Sequence, residues 1–335
     1  MSKKSSTMKK ILIPLFIVII LAASGFYYVY STYLGKINTV KITKNEEELQ
    51  IQPVVADKSK DIINIALFGI DTRADDYDGS RTDSIIIASL DLSHKKLKLS
   101  SIMRDSFVSI PGEKYDKINH AYEVGGPELT VKTLNENFDM NIKDYMTVNF
   151  SALEEIVDAV GGVEINVKDY EVDLLNKTSG SSSVGTGVQT LDGQQALAYS
   201  RIRYSGDADY ERTLRQRTVL QSVINNVLKS KSLPQALSLI EILSPYVQTS
   251  LDQGALIGLG TKVFSAGGIT MEDTRLPVDG QYIPGVWDEV FYLKYDTLSE
   301  NVSYLHDFIY EEKGYVPSPA VEEISNTILS TVSKN

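Results

Sequence analysis

The feature that most constrains this chain is a long apolar run near its N-terminus. No charged residue lies between Lys10 and Lys36, and most residues of the run are aliphatic or aromatic. A helix of that length spans the roughly 30 Å hydrocarbon core of a bilayer. The segment before it carries four lysines and no acid, which favours a cytoplasmic N-terminus. We therefore expect a cytoplasmic stub at 1–10, a transmembrane anchor at 11–33 and an extracellular body.

A cleaved signal peptide is the alternative interpretation of the same run, with cleavage near Ala22, Ala23 and Ser24. Both interpretations put the body outside the cytoplasm. If the anchor is retained, the protein is expected to be a single-pass protein of the cell membrane with its catalytic domain extracellular.

The composition excludes several kinds of site and partner. The 335 residues carry a formal net charge of −11, so the body repels nucleic acid and can bind phosphate only through a local basic cluster. The chain has no cysteine, which excludes disulfides, thiolate metal sites and a lipid-modified cysteine. With 42% hydrophobic residues, it has enough apolar side chains to build a full core.

Strand and helix patterns alternate along the body without an internal repeat. This order predicts an α/β fold, namely a three-layer α/β/α domain with a central mixed sheet. We expect the domain at 62–316, after a stalk or peripheral segment at 34–61 and before a flexible, dispensable tail at 317–335. A stretch rich in Ser, Gly and Thr at 176–190 is typical of a mobile loop and is a candidate lid.

Local patterns predict the individual elements. Strands are predicted at 62–70, 83–92, 97–103, 145–150, 163–167, 271–278 and 286–294. Helices are predicted at 125–138, 151–160, 193–200, 209–229, 234–247, 253–264 and 296–312.

Arginine is concentrated in one part of the chain. Five of the nine arginines lie between Tyr199 and Arg217, although the protein is acidic overall. The planar guanidinium group offers paired N–H donors that bind phosphate or carboxylate in a bidentate way. Arg201 and Arg203 are two residues apart and share a face if their segment is extended. The cluster therefore suggests an anionic ligand.

The helix predicted at 209–229 allows its basic residues to be sorted by direction. Arg212 and Gln216 are predicted to face inward near its N-terminal end, where free N–H groups and the helix dipole also favour an anion. Arg215 lies about 140° from the core face and is predicted to be solvated. The direction of Arg217 is left open.

Surface salt bridging is the alternative interpretation of this arginine cluster. Acidic partners are available within the same stretch. They are Asp207, Asp209 and Glu211.

Two aspartates form a second candidate site. Asp71 directly follows the first predicted strand, and Asp83 opens the second. If these strands are neighbours, both carboxylates meet at one edge of the sheet, where ligands of open α/β folds bind. Two carboxylates together with phosphate oxygens and water suit Mg²⁺, and Mn²⁺ as an alternative. A divalent cation combined with arginines suggests a pyrophosphate ligand.

Several segments of the chain together resemble the LytR-CpsA-Psr family of cell-wall proteins, and the resemblance covers roughly 62–230 in addition to the N-terminal anchor. The segments that carry it, in order, are G-I-D-T-R at 69–73, S-R-T-D-S at 80–84, S-I-M-R-D at 101–105, K-I-N-H-A-Y-E-V-G-G-P at 117–127, L-D-G-Q-Q-A-L-A-Y-S-R-I-R-Y at 191–204 and R-x-x-x-Q at 212–216.

The resemblance implies a function. Such a protein moves a glycopolymer, for example teichoic acid or capsule, from a polyprenyl-pyrophosphate carrier to peptidoglycan as a phosphodiester. It implies that Asp71 and Asp83 coordinate Mg²⁺, and that Asp71, Arg81 and Arg104 are catalytic. The residues implied to hold the pyrophosphate are Arg81, Arg104, Arg201, Arg203, Arg212 and Gln216.

Other residues of the matching segments have no assigned contact: Arg73, Lys117 and Asn119. The general base is unassigned, since Asp71 and Asp105 are both candidates and His120 fits a structural hydrogen bond better than a base. Apolar stretches at 85–87 and 219–228 either line a tunnel for the prenyl chain or belong to the ordinary core.

Two other functions stay open at this point. In the first alternative, the protein binds the polyprenyl pyrophosphate, or hydrolyses it, without transferring the glycopolymer. A membrane-bound transcriptional attenuator is the second alternative, but a cytoplasmic stub of about ten residues and an acidic external body leave no element to read DNA. The expected partners are therefore the lipid-linked glycopolymer, the peptidoglycan acceptor and the cytoplasmic membrane, with no nucleic acid.

Overall fold

A computed structural model of the chain describes residues 38–56, 62–70, 79–149, 151–202, 208–229, 246–266, 268–311 and 313–332. The predicted anchor and most of the helix predicted at 234–247 lie outside these residues. Within the described part of the chain, no helix is both long enough and apolar enough to cross a membrane.

Strands and helices alternate along the body, as the sequence predicts. The strands are β1 (Asn38–Thr39), β2 (Ile62–Ile70), β3 (Thr82–Asp91), β4 (Lys96–Ile102), β5 (Phe107–Val108), β6 (Asp116–Lys117), β7 (Asp144–Asn149), β8 (Val163–Val167), β9 (Gly187–Leu191), β10 (Val247–Thr249), β11 (Thr270–Leu276), β12 (Tyr282–Trp287) and β13 (Val290–Tyr295). The helices are α1 (Pro53–Ala56), α2 (His120–Phe138), α3 (Ser151–Ala159), α4 (Asp169–Ser179), α5 (Gly193–Arg201), α6 (Ala208–Lys229), α7 (Gln253–Ser265), α8 (Leu298–Tyr310) and α9 (Pro319–Val332).

The central sheet has the strand order β1-β10-β7-β2-β3-β4-β11. The pair β2 and β7 is parallel, whereas β2 with β3 and β3 with β4 are antiparallel. The sheet is therefore mixed, as predicted. Antiparallel neighbours need only a short turn, which is why β3 and β4 are joined by a few residues, while the route from β4 to its more distant sheet partner β11 runs through helices.

The pairing register brings several strand ends together at one end of the sheet. Ile70, at the end of β2, pairs with Thr82 at the start of β3 and with Asn149 at the end of β7. Ile102, at the end of β4, pairs with Ile85 close to the start of β3. We call this end of the sheet the upper end. It collects the residues that follow or open four of the strands.

Helices cover both faces of the sheet, because successive residues of a strand point to opposite sides. Ile85 and Ile87 of β3 belong to a hydrophobic cluster that includes side chains of α2, α8 and α9. Ile86, between them, lines a cavity on the other face, where α3 and α6 pack. A second hydrophobic cluster on that face includes Val157 of α3 and Val219 of α6. The cores of both faces are thus built from one sheet.

The helix α2 contains a break that the sequence signals. Gly125 has φ −142° and Gly126 has φ +61°, and both depart from helical geometry. A positive φ is strained for residues with a Cβ, so glycine permits the break, and Pro127 has no N–H to continue the hydrogen-bond ladder. The predicted helix start at 125 is therefore the break inside a longer helix that begins at His120.

Of the two alternatives for 34–61, a stalk or a peripheral segment, the described residues fit a peripheral segment and not a free stalk. β1 pairs with β10 in the central sheet, with Asn38 opposite Gln248. Leu49 is fully buried in the hydrophobic cluster beneath α2, and the Asn135 side-chain amide donates to its carbonyl oxygen at 2.9 Å. The segment is folded against the domain, but its apolar residues are too sparse to give a periodic pattern in sequence.

The flexible tail predicted at 317–335 is also wrong, because α9 occupies most of it. Ile324 and Ile328 of α9 are buried in the same cluster as α2 and α8. Just before α9, the backbone N–H and the hydroxyl of Ser318 each donate to Asp139 at 2.7 Å. This segment is part of the core, and the spacing of four residues between its isoleucines is the signal that predicts a packed helix.

The mobile loop predicted at 176–190 is largely ordered secondary structure. The helix α4 runs to Ser179, and β9 begins at Gly187 and pairs antiparallel with β8. Between them, Val184 is buried, and its carbonyl oxygen accepts a hydrogen bond from the Asn176 side chain at 2.9 Å. The small polar residues form a short connection held by the Asn176 amide, so this segment is not a lid.

We expect Ile328→Ala to lower the free energy of unfolding by about 2–4 kcal/mol, since it leaves a cavity where the side chain is fully buried. The adjacent Leu329, which is 46% exposed, is the matched control, and its change to alanine is expected to cost no more than about 0.5 kcal/mol. Urea unfolding followed by fluorescence of the single tryptophan measures both. Equal stabilities of the two variants would contradict the packed position of α9.

Candidate functional site

Asp83 lies at the centre of a charged cluster at the upper end of the sheet. Its carboxylate forms an ion pair with Nη1 of Arg104. Nη1 of Arg212 lies 4.0 Å from the same carboxylate oxygen, and Nη2 of Arg212 donates to the Asp83 carbonyl oxygen at 3.5 Å. Two guanidinium groups from separate elements therefore converge on one carboxylate.

The strand register explains why Asp83 and Arg104 meet. Ile85 of β3 pairs with Ile102 of β4, so two residues further along, Asp83 and Arg104 lie opposite each other across the same ladder. Arg104 lies two residues after the end of β4, and Arg212 lies in the first turns of α6. The site is thus built on strand ends and one helix, which are rigid parts of the fold.

Burial differs across this cluster. The Arg212 side chain is only 5% exposed, whereas those of Arg104 and Asp83 are 22% and 28% exposed. A guanidinium group that is removed from water needs anionic or hydrogen-bonding partners close by. The inward direction that the helix periodicity predicts for Arg212 is confirmed, and the cluster opens to solvent on the side of Arg104 and Asp83.

Arg81 is held beside this cluster by α2. Its Nε donates to Glu123 Oε2 at 2.6 Å, and Nδ1 of His120 lies 2.8 Å from the same oxygen. Burial alone would raise the pKa of the Glu123 carboxyl, but hydrogen bonds from His120 and Arg81 outweigh it and keep that pKa below its usual value. Glu123 therefore stays ionised and orients Arg81, which is separated from Asp83 only by Thr82.

A second set of contacts holds Arg104 in place. Nζ of Lys117 lies 2.6 Å from Oδ1 of Asp105, and Oδ2 of Asp105 lies 3.5 Å from Nε of Arg104. The backbone N–H of Asn119 donates to the Arg104 carbonyl oxygen at 3.3 Å. Lys117 and Asn119, which had no assigned contact in sequence, thus belong to the scaffold that fixes the backbone and side chain of Arg104.

The remaining predicted site residues divide into two groups. Arg201 ends α5 and is exposed. Asp71, Arg73 and Arg203 lie outside the described residues, so the pairing of Asp71 with Asp83 stays a prediction. Within the described ranges, no three acidic or histidine side chains are grouped as a metal site would need.

Gln216 connects the charged cluster to an apolar cavity. It lies one helical turn after Arg212, is 8% exposed, and its Oε1 has no hydrogen-bond partner among the described residues. The cavity has a volume of about 160 Å³ and lies between the sheet and helices α3 and α6. Ser84 and Asn149 line its upper part. Its other lining residues are Leu67, Phe68, Gly69, Ile86, Met146, Val148, Leu153, Ile156, Ser200, Leu220 and Val223.

The prediction that Arg215 is solvated is wrong. Its side chain is 3% exposed, and its Nε donates to Glu171 Oε1 at 2.8 Å while Nη2 donates to Glu211 Oε2 at 2.6 Å. Burial would lower the Arg215 pKa, but the hydrogen bonds to both glutamates outweigh burial and raise it. The angular argument assumed one buried face, whereas Glu171 of α4 and the carbonyl oxygen of Ile202, just after α5, also contact α6 at Arg215.

The comparison with protein families decides the relationship. The model of the LytR_cpsA_psr family matches residues 25–304. The chain belongs to this family.

Individual LytR_cpsA_psr proteins are similar in sequence and fold. Polyisoprenyl-teichoic acid–peptidoglycan teichoic acid transferase TagU of Oceanobacillus iheyensis is 33% identical over 287 residues, which are 82% of this chain and 86% of that protein. Two solved structures of TagT, a Bacillus subtilis protein, are each 29% identical and cover 81% of this chain and 99% of theirs. TagT bound to LI-WTA has a TM-score of 0.65, and TagT with bound octaprenyl pyrophosphate lipid has a TM-score of 0.61.

Two functional contacts of this LytR_cpsA_psr protein were not predicted from sequence. Glu123 binds Arg81, and the signal available for it was its position three residues after His120 on one helix, where side chains are neighbours. Glu171 binds Arg215 from 44 residues away along the chain, and no local pattern indicates that pairing. Arg217, whose direction was left open, is buried, and its Nε donates to Asp273 Oδ2 of β11 at 2.9 Å.

We expect Glu171→Gln to lower the free energy of unfolding by about 2–3 kcal/mol, because the buried Arg215 guanidinium loses its buried counter-charge. Glu211→Gln removes the other partner, which is 31% exposed, and is expected to cost no more than about 1 kcal/mol. Urea denaturation of both variants tests this order. If the Glu211 variant is the less stable one, the exposed contact and not the buried one holds Arg215.

Proposed function

We propose that this protein transfers a teichoic-acid-type glycopolymer from a polyprenyl-pyrophosphate carrier to peptidoglycan. The observation that carries the proposal is the continuity between the charged cluster and the apolar cavity. Ser84 lines the cavity next to Asp83, and Gln216 lines it one turn after Arg212. A ligand with an anionic head and an apolar chain fits a charged cluster that adjoins an apolar cavity.

The relatives support the same substrate class. The TagU relative carries the name of a teichoic acid transferase that uses a polyisoprenyl-linked donor and a peptidoglycan acceptor. One of the TagT structures holds an octaprenyl pyrophosphate lipid, and its match covers nearly all of that chain. We infer that the pyrophosphate of such a lipid lies at Arg104 and Arg212 here, with Arg81, Arg201 and Arg203 as further donors.

The reaction assigned to this site is a displacement at phosphorus. A hydroxyl oxygen of the acceptor glycan forms a bond to the phosphorus next to the glycopolymer, and the bridging bond to the lipid phosphate breaks. The lipid leaves as its monophosphate, and the hydroxyl proton is released. Arg104 and Arg212 stabilise the negative charge that grows on the leaving phosphate, since charge stabilisation and positioning dominate phosphoryl transfer.

A divalent cation is part of the proposal. Asp83 would supply one carboxylate ligand and Asp71 the second, and these hard oxygens together with phosphate oxygens are the donor set that Mg²⁺ prefers. When bound, the ion would neutralise charge on the pyrophosphate. Because Asp83 also contacts Arg104, the carboxylate would hold the cation and the guanidinium side by side.

The cavity is proposed to hold the prenyl chain near the pyrophosphate. Of the stretch 85–87, Ile86 faces the cavity, whereas Ile85 and Ile87 belong to the core on the opposite face. Leu220 and Val223 of α6 line the other wall. Within each stretch, some residues therefore line the proposed tunnel and others belong to the core.

The proposed architecture is a three-layer α/β/α domain held outside the cell by the anchor at 11–33. An extracellular site meets both the lipid-linked donor and the peptidoglycan acceptor.

We expect Asp83→Asn and Arg104→Lys each to reduce transfer by at least 100-fold, because each removes a charge or a bidentate donor from the reacting phosphate. Transfer is measured with purified full-length protein, lipid-linked polymer and peptidoglycan fragments, as covalent polymer–glycan product. EDTA is expected to abolish transfer by the unsubstituted protein, and Mg²⁺ to restore it.

The matched control is Arg217→Lys on the same helix as Arg212, since Arg217 is equally buried but pairs with Asp273 instead of Asp83. It is expected to keep transfer. Binding of the lipid without covalent product, or release of phosphate without product, would replace the transferase with a lipid-binding protein or a pyrophosphatase.

We expect Ile86→Phe to weaken binding of octaprenyl pyrophosphate by about 10-fold, because the larger side chain fills part of the cavity and costs about 1–2 kcal/mol of chain burial. Affinity for inorganic pyrophosphate is expected to stay unchanged and serves as the control for the charged cluster. Calorimetric titration measures both ligands. Equal weakening of both would show that the substitution disturbs the fold and not the cavity.

A further inference from the structure

The first described strand, β1, begins on the side of the upper end of the sheet. Asn38 of β1 is opposite Gln248, and Thr39 is opposite Thr249 in the parallel partner β10. β10 runs antiparallel to β7, whose last residue, Asn149, lies at the upper end. β1 therefore runs away from the upper end, and its first residue, Asn38, is the one nearer to the end at which Asp83 and the arginines lie.

The predicted anchor is close to this point along the chain. It ends at residue 33, five positions before Asn38, and an extended chain of that length reaches at most about 18 Å. The site is displaced sideways by the strands between β1 and β3, which are spaced about 4.8 Å apart. The outer membrane surface therefore lies within a short distance of the upper end of the sheet.

An apolar surface projects from the same end. The ribbon formed by β12 and β13 is attached to the residues that follow β4, because the N–H of Leu293 donates to the carbonyl oxygen of Asp105 at 2.9 Å. Val286 and Phe291 are paired across the ribbon and are 63% and 44% exposed. Pro284, two residues from Val286 and hence on the same face, is exposed as well.

On the opposite face of the ribbon, Trp287 and Lys294 pack against neighbouring groups. The Trp287 ring lies over Gly285, where a Cβ would approach it to 2.6 Å. Nζ of Lys294 lies 4.0 Å from the centre of the Trp287 ring and 4.8 Å from that of Phe107. The face with Pro284, Val286 and Phe291 is exposed toward the tip, whereas Leu293 and Tyr295, further along the same face, are buried against the domain.

We propose that the upper end of the sheet faces the lipid bilayer and that the ribbon face formed by Pro284, Val286 and Phe291 rests on the membrane interface. The proposal rests on the anchor and the lipid-linked donor of the proposed function. The occupant is lipid because the chain leads to the membrane within a few residues of this end. Isolated exposed apolar residues are common, but a cross-strand pair on a projecting ribbon is typical of a contact surface.

The ribbon tip limits how deep this contact goes. Asp288 and Glu289 form the turn between β12 and β13, and both are exposed. Carboxylates are costly in hydrocarbon, so the tip stays at the level of the headgroups while the apolar face lies in the interface. In this orientation Arg104 and Arg212 face the layer in which the pyrophosphate of a membrane-embedded lipid lies.

The absence of cysteine makes a direct test possible. Full-length protein carrying Val286→Cys, labelled with an environment-sensitive fluorophore, is reconstituted into vesicles of phosphatidylcholine and phosphatidylglycerol. The matched control is Val316→Cys. Val316 is 78% exposed, and its neighbours Tyr315 and Ser318 are both bound to Asp139. Asp139 precedes β7, which begins at the end of the sheet opposite the upper end. Quenching is measured with iodide in water and with nitroxide on the lipid headgroups.

The label at 286 is expected to lose most of its quenching by iodide and to be quenched by the nitroxide lipid, while the label at 316 keeps full iodide quenching. Two labels equally open to iodide and unquenched by lipid would overturn the proposal. So would protection of 286 that appears only when peptidoglycan fragments are added.

Transfer activity of both labelled proteins distinguishes a failure of the membrane contact from a failure of the transferase function. Product formation without lipid contact at 286 leaves the transferase standing and rejects the membrane contact. Lipid contact at 286 without any product supports the orientation and rejects the transferase.

Discussion

The structure depends on one carboxylate shared by two guanidinium groups. Asp83 meets Arg104 because β3 and β4 are antiparallel neighbours, and it meets Arg212 because α6 begins over the same end of the sheet. Like charges brought this close repel, so the carboxylate between them lets both arginines stay partly buried and point the same way. The repulsion between the two guanidinium groups is thus balanced within the protein itself.

The order of elements and the direction of several side chains could be predicted because they follow from local periodicity. Ile62–Ile70 is a short, mostly apolar run that favours a buried strand, and β2 has those bounds. Arg212 and Gln216 are four residues apart on an amphipathic helix, which determined their inward direction. The family motifs added the site residues that periodicity cannot identify.

The failures come from interactions between distant segments. The burial of Leu49 and the packing of α9 depend on α2, which lies far away in sequence, so a polar or terminal segment was mistaken for an unfolded one. The burial of Arg215 depends on Glu171, a partner in another helix. Long-range pairing of this kind leaves no repeat or cap in the local sequence.

Arg212 and Arg215 are three residues apart on α6, so their directions differ by about 60° around the helix, and both are tied to other elements. Arg215 is bound to Glu171 of α4, and Arg212 reaches Asp83 of β3. These two contacts restrict rotation of α6 about its own axis. The position of Arg212 is therefore set by contacts within the protein, and the proposed transfer would need little reorganisation of this side chain.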